Sequence, residues 1–324
     1  MKVLFVSSGN SINFDIAPFI KSQGESLKSQ GVDVQYFPLR GRGLSGYFKE
    51  AFRLRKYLKE NQVDIIHAHY VLSGWTTVLS SPRQPVVLSL MGTDAYGEYV
   101  GENKITFFSR YLILLTYMIQ PFVKAIICKS ENIENSVYLK KKSRIIPNGI
   151  ALEKINFKEN GFHEELGLKP GKKHVLFLGD RKDKRKNFEL IEKALDLIDS
   201  DNVSLLSPYP VPHDIVVKYL NSVNVIVVPS FMEGSPNVVK EAMACNCPIV
   251  ATDVGDIKWL FGNVPGHFLS SFDPADAADK IREALAFSEN VGRTKGRERL
   301  LSLGLSSETV AERVVGVYED ALRG

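Results

Sequence analysis

Two glutamates, Glu233 and Glu241, stand eight positions apart in a segment whose other residues favour phosphate binding. Gly234 lets the chain turn close to a ligand, and Ser235 and Pro236 suit the N-cap and the first position of a following helix. The free amides and the positive dipole end of that helix would face the loop that carries Glu233. The segment therefore predicts a diphosphate site flanked by carboxylates. The alternative is an ordinary strand–loop–helix with solvated glutamates.

A second concentration of charge lies at residues 181–186, where five of the six positions are basic. The run follows a predicted strand and opens a predicted helix. Its charge would neutralise a leaving diphosphate, which is the main electrostatic demand of a transfer reaction with that leaving group. The alternative is a solvated surface loop.

The elements that must position these residues follow the pattern of parallel sheets covered by helices, because short apolar runs alternate with amphipathic stretches. One series runs from the strand Lys2–Ser7 to a short strand at residues 145–146. A second series begins at the strand His174–Gly179 and includes the apolar strand Val223–Pro229. The sequence thus predicts an α/β protein of two Rossmann-like, doubly wound parallel-sheet domains. The ligand site of such an architecture lies outside the carboxyl ends of the strands, in the cleft that the domains face.

The helix that carries Glu241 is predicted over Pro236–Ala244. Asn246 follows it and tolerates the left-handed conformation that often ends a helix, and Pro248 prevents the helix from continuing. The predicted helix therefore places Glu241 within it and leaves Glu233 on the loop before it.

Composition narrows the class of protein. A formal charge of +4 in 324 residues is mild for a general nucleic-acid binder, so we expect no nucleic-acid partner. Three cysteines cannot form a disulfide framework, and Cys245 and Cys247 lack a second pair at zinc-like spacing. The N-terminal apolar run is too short for the core of a signal peptide, and Tyr111–Ile119 is far short of the roughly 20 residues that span a bilayer. We therefore expect a cytoplasmic protein.

One helical segment leaves a peripheral membrane contact open. Residues Tyr47–Lys59 form a basic amphipathic pattern, and such helices can lie on anionic lipid, here at the inner face of a membrane. The alternative is a helix that covers the sheet and exposes a solvated basic face.

The segment from Ser230 to Gly255 resembles the E-x7-E signature of glycosyltransferase family 4, also called glycosyl transferases group 1. The similarity extends over almost the whole chain, and it implies a retaining glycosyltransferase of the GT-B fold. Residues 1–150 would form the acceptor-side domain, to which a terminal helix in residues 305–324 would cross back. Residues 151–304 would bind the nucleotide sugar.

The resemblance also implies roles for residues on the donor side. Glu233 would approach hydroxyls of the donor sugar, and Glu241 would hydrogen-bond the ribose of the nucleotide. Four consecutive residues would line the sugar and phosphate pocket with their backbone, of which the proline has no amide to donate: Gly234, Ser235, Pro236 and Asn237.

The basic loop is similar to the part of the family that grips the diphosphate. Lys186, followed by Asn187, matches the family's lysine. The position of the family's arginine falls on Asp180, so Arg181 or Arg185 must substitute for it, and Arg181 is preferred.

Further positions of the resemblance lie in the first half of the chain. The stretch from Met91 to Asp94 resembles the family's H-G-[ST]-D, with methionine in place of the histidine, so the role of that histidine is missing or is supplied differently. Asp94 would contact the sugar or the acceptor, or else serve as a structural cap. His67 and His69 lie on one side of a strand and form either a wall that faces the acceptor or a pair of metal ligands. Gly9 lies in a turn at the place where members of the family often have a glycine-rich loop under the donor.

Together these features predict the transfer of a sugar from a nucleotide-diphosphate donor to a hydroxyl of a glycan or lipid-linked acceptor, in cell-surface polysaccharide synthesis. We expect retention at the anomeric carbon, with neither a cofactor nor a metal. No DxD-like carboxylate pair is placed beneath the diphosphate, and Lys186 with a nearby arginine would take that role. The alternatives are a non-catalytic protein that binds nucleotide sugars or carbohydrate, and a GT-B nucleotide-sugar epimerase.

Overall fold

The computed structural model describes residues 1–10, 14–41, 43–158, 161–198 and 201–323. The chain divides into two compact units. The first unit contains Met1–Glu98, Ile105–Gly149 and Ser307–Gly324, and the second contains Tyr99–Lys104 and Ile150–Ser306. The end of the chain therefore packs with the N-terminal unit, and a six-residue segment of the first half packs with the second unit.

The first unit is built on a six-stranded parallel sheet with the order β2-β1-β3-β4-β5-β6. Its strands are β1 (Lys2–Ser8), β2 (Asp33–Leu39), β3 (Ile65–His69), β4 (Val86–Leu90), β5 (Ala125–Cys128) and β6 (Ser143–Ile145). Its helices are α1 (Pro18–Ser29), α2 (Gly43–Glu60), α3 (Val71–Leu79), α4 (Thr93–Tyr96), α5 (Phe107–Ile119), α6 (Glu131–Glu134) and the terminal α13 (Ser307–Arg323).

The direction of the crossovers decides which helices share a face of this sheet. The connection from β1 to β2 runs opposite to the later connections, and right-handed crossovers then place α1 on one face and α2, α3 and α5 on the other. In agreement, α13 packs against α1, while α3 packs against both α2 and α5. Every residue of β3 and β4 is buried, as expected for central strands covered on both faces.

The second unit is built on a five-stranded parallel sheet with the order β11-β10-β9-β7-β8. Its strands are β7 (Lys173–Leu176), β8 (Val203–Leu206), β9 (Val225–Val228), β10 (Ile249–Thr252) and β11 (His267–Ser270). Its helices are α7 (Phe188–Asp196), α8 (His213–Ser222), α9 (Asn237–Ala244), α10 (Ile257–Phe261), α11 (Pro274–Asn290) and α12 (Gly296–Ser302).

The structure confirms the two doubly wound parallel sheets that the sequence predicted, with strand ends shifted by a few residues. The predicted terminal helix of residues 305–324 runs over Ser307–Arg323, and Gly324 lies outside the described residues. The strand expected at residues 145–146 is Ser143–Ile145. Among the described residues, no helix combines the length and the apolar content that a membrane crossing requires.

Helix α9, which carries Glu241, is held in place by α12. Gly296 at the start of α12 lies directly on α9, since a Cβ added there would be 2.8 Å from the Cα of Met243 and 2.9 Å from its carbonyl oxygen. From the next residue, the Arg297 guanidinium donates to the carbonyls of Leu152 (2.7 Å) and Ile155 (2.6 Å). The two helices therefore touch through backbone, and the spacing has no room for a side chain.

We expect Gly296→Ala to lower the free energy of unfolding by about 1–3 kcal/mol, because overpacking must push α12 away from α9. Gly316→Ala is the matched control: it lies within α13, and an added Cβ meets nothing within 4 Å. That control should raise the free energy of unfolding by about 0.5–1 kcal/mol through helix propensity. Urea unfolding of both variants measures the difference, and shifts of the same sign and size would contradict the proposed close contact.

Candidate functional site

The predicted carboxylate and the predicted basic loop meet in the second unit. Glu233 lies on the loop after β9, and its Oε1 accepts a hydrogen bond from the Lys186 ammonium at 2.6 Å and from the Ser230 hydroxyl at 2.8 Å. Both side chains of the Lys186–Glu233 ion pair are partly buried. Residues 47 positions apart in sequence thus form one polar contact.

The local fold of the basic loop explains why Lys186 reaches Glu233. Residues Lys184–Lys186 form a single 3-10 turn that ends at Asn187, which adopts the left-handed conformation at φ 49°. The Asn187 side-chain amide donates to the Pro229 carbonyl at 3.1 Å, and the Phe231 amide donates to the Arg185 carbonyl at 2.8 Å. The turn is therefore bound to the chain on both sides of the end of β9.

The two arginines considered for the diphosphate have different surroundings. Arg185 pairs with Asp183 of its own loop, with distances of 3.0 Å from Nε to Oδ1 and 2.7 Å from Nη2 to Oδ2. Burial raises the pKa of Asp183, but the Arg185 guanidinium outweighs it and leaves that pKa below its usual value. Arg181 donates to the Ser207 hydroxyl at 2.9 Å and stacks over the Phe188 ring at 4.6 Å. Arg185 is thus engaged within its turn, while Arg181 lies beside the segment that follows β8.

The start of α9 differs from the prediction. Pro236, at φ −68° and ψ 121°, is the N-cap, and Asn237 is the first helical residue. The prediction of Ser235 as N-cap was therefore wrong by one position, and the physical reason is that the Ser235 hydroxyl accepts a hydrogen bond from Lys240 at 3.1 Å. The left-handed conformation predicted for Asn246 after the helix is confirmed, at φ 53°.

The backbone of the Glu233 loop rests on the end of β10. Gly255 has a φ of +63°, and a Cβ there would lie 2.6 Å from the Glu233 carbonyl oxygen and 2.8 Å from the Gly234 carbonyl oxygen. The Thr252 hydroxyl donates to the Ser230 carbonyl at 2.6 Å. Gly255 is a position that only glycine suits, and it fixes where the loop carries Glu233.

Glu241 has a partner that sequence reasoning missed. Its Oε1 contacts His213 Nε2 at 2.9 Å, and the Glu241 side chain is 15% exposed while that of His213 is 61% exposed. The hydrogen bond to Glu241 raises the pKa of His213. His213 begins α8, 28 positions before Glu241, and no local pattern in the sequence links the two.

A second missed pair lies beneath the loop. Lys240 is fully buried, and burial lowers its pKa to about 8 against the opposing charges of Asp256 and Glu241. Burial raises the pKa of Asp256 to about 6, against the opposing Lys240 charge and the nearby Ser235 hydroxyl. The E-x7-E signature gave no signal for these two residues. Lys240 falls among its seven undefined positions, and Asp256 lies just after the matching segment Ser230–Gly255. Lys240 supports the loop by donating to the Ser235 hydroxyl at 3.1 Å, and the Asp256 carboxylate lies close enough for the two charges to interact.

The two predicted site residues of the first unit have structural contacts. Asp94 is fully buried, and its carboxylate accepts hydrogen bonds from the amides of Val71 (3.0 Å), Met91 (2.9 Å) and Gly92 (3.0 Å). Burial raises its pKa to about 6 although these amides oppose the shift. This geometry favours the structural cap over a contact with sugar or acceptor.

Gly9 donates its amide to the Leu39 carbonyl at 2.8 Å, and an added Cβ would lie 2.7 Å from the Cβ of Pro38. Its close packing against the end of β2 therefore accounts for a glycine at this position.

His67 and His69 are stacked in the core of the first unit, with ring centroids 4.2 Å apart. His67 contacts Tyr318 of α13 through Nδ1 at 2.6 Å and Ser89 through Nε2 at 2.8 Å. Burial holds the pKa of both histidines well below the usual value. His67 thus joins α13 to the sheet through Nδ1 and β3 to β4 through Nε2. In the part of the chain that the structure describes, no group of three or more potential metal ligands is present.

We expect Lys240→Leu to lower the free energy of unfolding by about 3–5 kcal/mol near neutral pH, because Asp256 is left buried without its counter-charge. Asp256 has a raised pKa in the folded protein, and removal of the Lys240 charge raises it further above about 6. The folded variant therefore takes up a proton before its unfolded chain does, and the loss should shrink as pH falls through that raised pKa. The double variant Lys240→Leu with Asp256→Asn should recover most of the stability. Urea unfolding across this pH range tests it, and equal stability of the single and double variants would refute the pairing.

Two family models match the chain, one in each half. The description "Glycosyltransferase Family 4" matches residues 16–154, and "Glycosyl transferases group 1" matches residues 165–286. The two matches therefore account for most of the sequence.

Curated relatives are similar at 28% identity. The putative teichuronic acid biosynthesis glycosyltransferase TuaC of Bacillus subtilis matches over 227 residues, which cover 61% of this chain and 55% of TuaC. The uncharacterized glycosyltransferase MJ1178 of Methanocaldococcus jannaschii matches over 299 residues, which cover 86% of this chain and 82% of MJ1178. The alignment thus spans about half the length of TuaC and most of MJ1178.

Solved structures share the fold. Sucrose-phosphate synthase from Thermosynechococcus elongatus superposes with a TM-score of 0.83 at 18% identity, over 100% of this chain and 99% of that one. Anabaena HepE in complex with UDP superposes with a TM-score of 0.73 at 14% identity, over 98% of this chain and 100% of that one. These neighbours and the two parallel sheets identify a GT-B fold, and with both family models matched in chain order, the protein belongs to the group 1, family 4 glycosyltransferases.

Proposed function

We propose that the protein transfers a sugar from a nucleotide-diphosphate donor to a hydroxyl of a glycan or lipid-linked acceptor, with retention at the anomeric carbon. The observation that carries the proposal is the contact of 2.6 Å between Lys186 and Glu233, next to the start of α9. It combines a cation suited to a diphosphate with a carboxylate suited to sugar hydroxyls. The second unit would bind the donor, and the first unit would face the acceptor.

The diphosphate would lie between Lys186 and the start of α9. The Asn237 amide is a donor there, and the positive end of the helix dipole favours negative charge. Arg181 stands on the same loop as Lys186, and we place it near the outer phosphate. As the bond between the sugar and the diphosphate breaks, these groups would stabilise the charge that develops on the leaving oxygen, and no metal would be needed.

The two glutamates would orient the donor. When the diphosphate draws Lys186 toward itself, the Glu233 carboxylate becomes available to accept hydrogen bonds from the sugar, with the Ser230 hydroxyl still holding it in place. Glu241 would accept from the ribose. The acceptor oxygen would form its bond to the anomeric carbon on the face that the diphosphate leaves, and the acceptor proton would pass to the leaving diphosphate. Retention is inferred from the E-x7-E segment.

The relatives support a proposal for the biological setting. TuaC is named for teichuronic acid biosynthesis, and we propose a role in cell-surface polysaccharide synthesis on the cytoplasmic side for this protein. HepE was solved with UDP and with UDP-glucose, which supports a nucleotide sugar as the donor class.

A non-catalytic protein that binds nucleotide sugars is the second candidate function. Met91 stands where the family pattern has a histidine, and Asp94 beside it is occupied by backbone amides. Incubation with a panel of nucleotide sugars separates the two functions: a donor that raises the melting temperature without being consumed, with or without acceptors, would favour the binder.

We expect Glu233→Gln and Lys186→Ala each to lower kcat/KM by about 10²–10³-fold, because each removes charge from the site at which the donor reacts. Lys184→Ala is the matched control. It removes the same charge from an exposed position of the same turn and should retain transfer activity. Turnover of the donor that gives the largest melting shift provides the measurement. Full activity of either site variant would overturn the assignment of these residues.

We also expect nucleoside diphosphates to bind more tightly as pH rises through the raised pKa of His213. Protonated His213 holds Glu241 in an ion pair, and loss of that proton weakens the pair and frees the carboxylate for the ribose. Binding should therefore release protons near neutral pH, and His213→Gln should abolish the release. Titration calorimetry in buffers of different ionisation enthalpy measures it. The same proton release in His213→Gln would exclude this residue as the source.

A further inference from the structure

Helix α5 in the first unit exposes many large apolar side chains and buries two hydroxyl groups. Its buried side includes Ser109 and Thr116, whose hydroxyls donate to the carbonyls of Thr106 at 2.7 Å and Asp94 at 2.6 Å. Helices that cover a sheet normally bury apolar residues and expose polar ones. Helix α5 buries these two hydroxyls together with Leu112 and Ile119, and six of its large apolar side chains are exposed.

The exposed side forms a continuous apolar stripe. The residues of α5 and of the turn after it that are at least half exposed, up to 81%, are Phe107, Phe108, Tyr111, Leu114, Tyr117, Met118 and Phe122. Their spacing of mostly three or four positions keeps them on one side of the helix. Tyr138 extends this stripe, since its ring packs on Tyr117 with centroids 4.4 Å apart. We call this set the α5 face. An exposed apolar patch of this kind marks an interaction surface.

Several basic residues lie beside the α5 face, with Glu98 near its start and Glu134 near its end. From Lys104 to Ser130 the sequence contains no acidic residue. The turn Lys140–Lys142 lies against the end of α5, because Lys142 donates to the carbonyls of Gln120 (3.0 Å) and Val123 (2.7 Å). Lys140 and Lys141 are exposed on that turn. An aromatic stripe bordered by lysines complements a surface that is apolar within and anionic at its boundary.

Helix α2 adds to this surface. It lies on the same face of the sheet as α5, with α3 packed between them. Phe48 and Phe52 are exposed on α2, with ring centroids 5.3 Å apart, and the exposed Arg55 and Lys56 lie beside them in sequence. The face of the first unit that carries α2 and α5 therefore has apolar and basic groups at two separate helices.

We propose that the α5 face is a membrane-docking surface for an anionic lipid bilayer. The aromatic side chains would enter the boundary between headgroups and acyl chains, and the lysines of residues 140–142 would contact lipid phosphates. A protein that lies on the membrane in this way needs no spanning helix. The inference goes beyond the transfer reaction, because it concerns binding alone and holds whichever donor or acceptor is used.

The first experiment compares co-sedimentation of the full chain with vesicles of phosphatidylcholine alone and of phosphatidylcholine mixed with phosphatidylglycerol. We expect binding to the anionic vesicles that weakens as salt is raised. The combined variant Phe107→Ser, Phe108→Ser and Tyr111→Ser should reduce it by about tenfold or more, and Lys140→Gln with Lys141→Gln should reduce the salt-dependent part. The matched control, Leu197→Ser, Val291→Ser and Leu301→Ser, removes three exposed apolar residues of the second unit and should bind as the unchanged protein does.

A second variant locates the contact directly. In Phe108→Trp, quenching of the added tryptophan by lipids brominated on their acyl chains would show that α5 enters the bilayer, relative to the unchanged protein with its own Trp75 and Trp259. Absence of binding to anionic vesicles, or equal binding by the α5 variant and the unchanged protein, would overturn the proposal. A lipid-independent dimer that the α5 variant abolishes would assign the face to a second copy of the chain, and would also overturn it.

Discussion

The direct pairing of β7 with β9 determines the candidate site, because neighbouring parallel strands deliver the loops that follow them to the same edge of a sheet. The loop after β7 supplies Lys186, and the loop after β9 supplies Glu233. Hydrogen bonds between the two loops, from Asn187 to Pro229 and from Phe231 to Arg185, keep the ammonium within 2.6 Å of the carboxylate. The third contributor is β10, because Gly255, three positions after the end of that strand, contacts the Glu233 backbone. Three adjacent strands therefore hold one ion pair.

Charged groups beneath and beside this ion pair are arranged at a cost in stability. Lys240 and Asp256 are buried with pKa values shifted toward neutrality, to about 8 and about 6, so each would be more easily ionised in water. Such a pair is rarely a net source of stability. Its effect is positional, since Lys240 holds the Ser235 hydroxyl and leaves Pro236 to cap α9. Pre-organisation of this kind would keep the loop that we propose binds the donor in place before any ligand arrives.

The two units use their helices differently. In the second unit α9 is packed so closely under α12 that a glycine is required at the contact, and α9 carries Glu241, which His213 contacts. In the first unit α5 buries hydroxyls and exposes aromatic rings, while α13 returns from the end of the chain to meet His67. Close packing therefore surrounds the residues that we propose bind the donor, and exposed large apolar side chains are concentrated on the unit that we propose faces the acceptor.

The sequence by itself predicted the two parallel sheets, because buried parallel strands are continuous apolar runs, and it singled out Glu233 and Lys186, because the motifs that carry them are local in sequence. It did not predict the strand β11 or the helices α3 and α5. Only the tertiary structure decided which groups meet. His213 contacts Glu241 from 28 positions away, and Asp256 lies near enough to the buried Lys240 for their charges to interact. Asp94 accepts hydrogen bonds from three backbone amides, and the Ser235 hydroxyl binds Lys240 instead of capping the helix. These contacts depend on the register of strands far apart in the chain and on burial, which changes the cost of a charge. Neither quantity can be read from residue types and spacing alone.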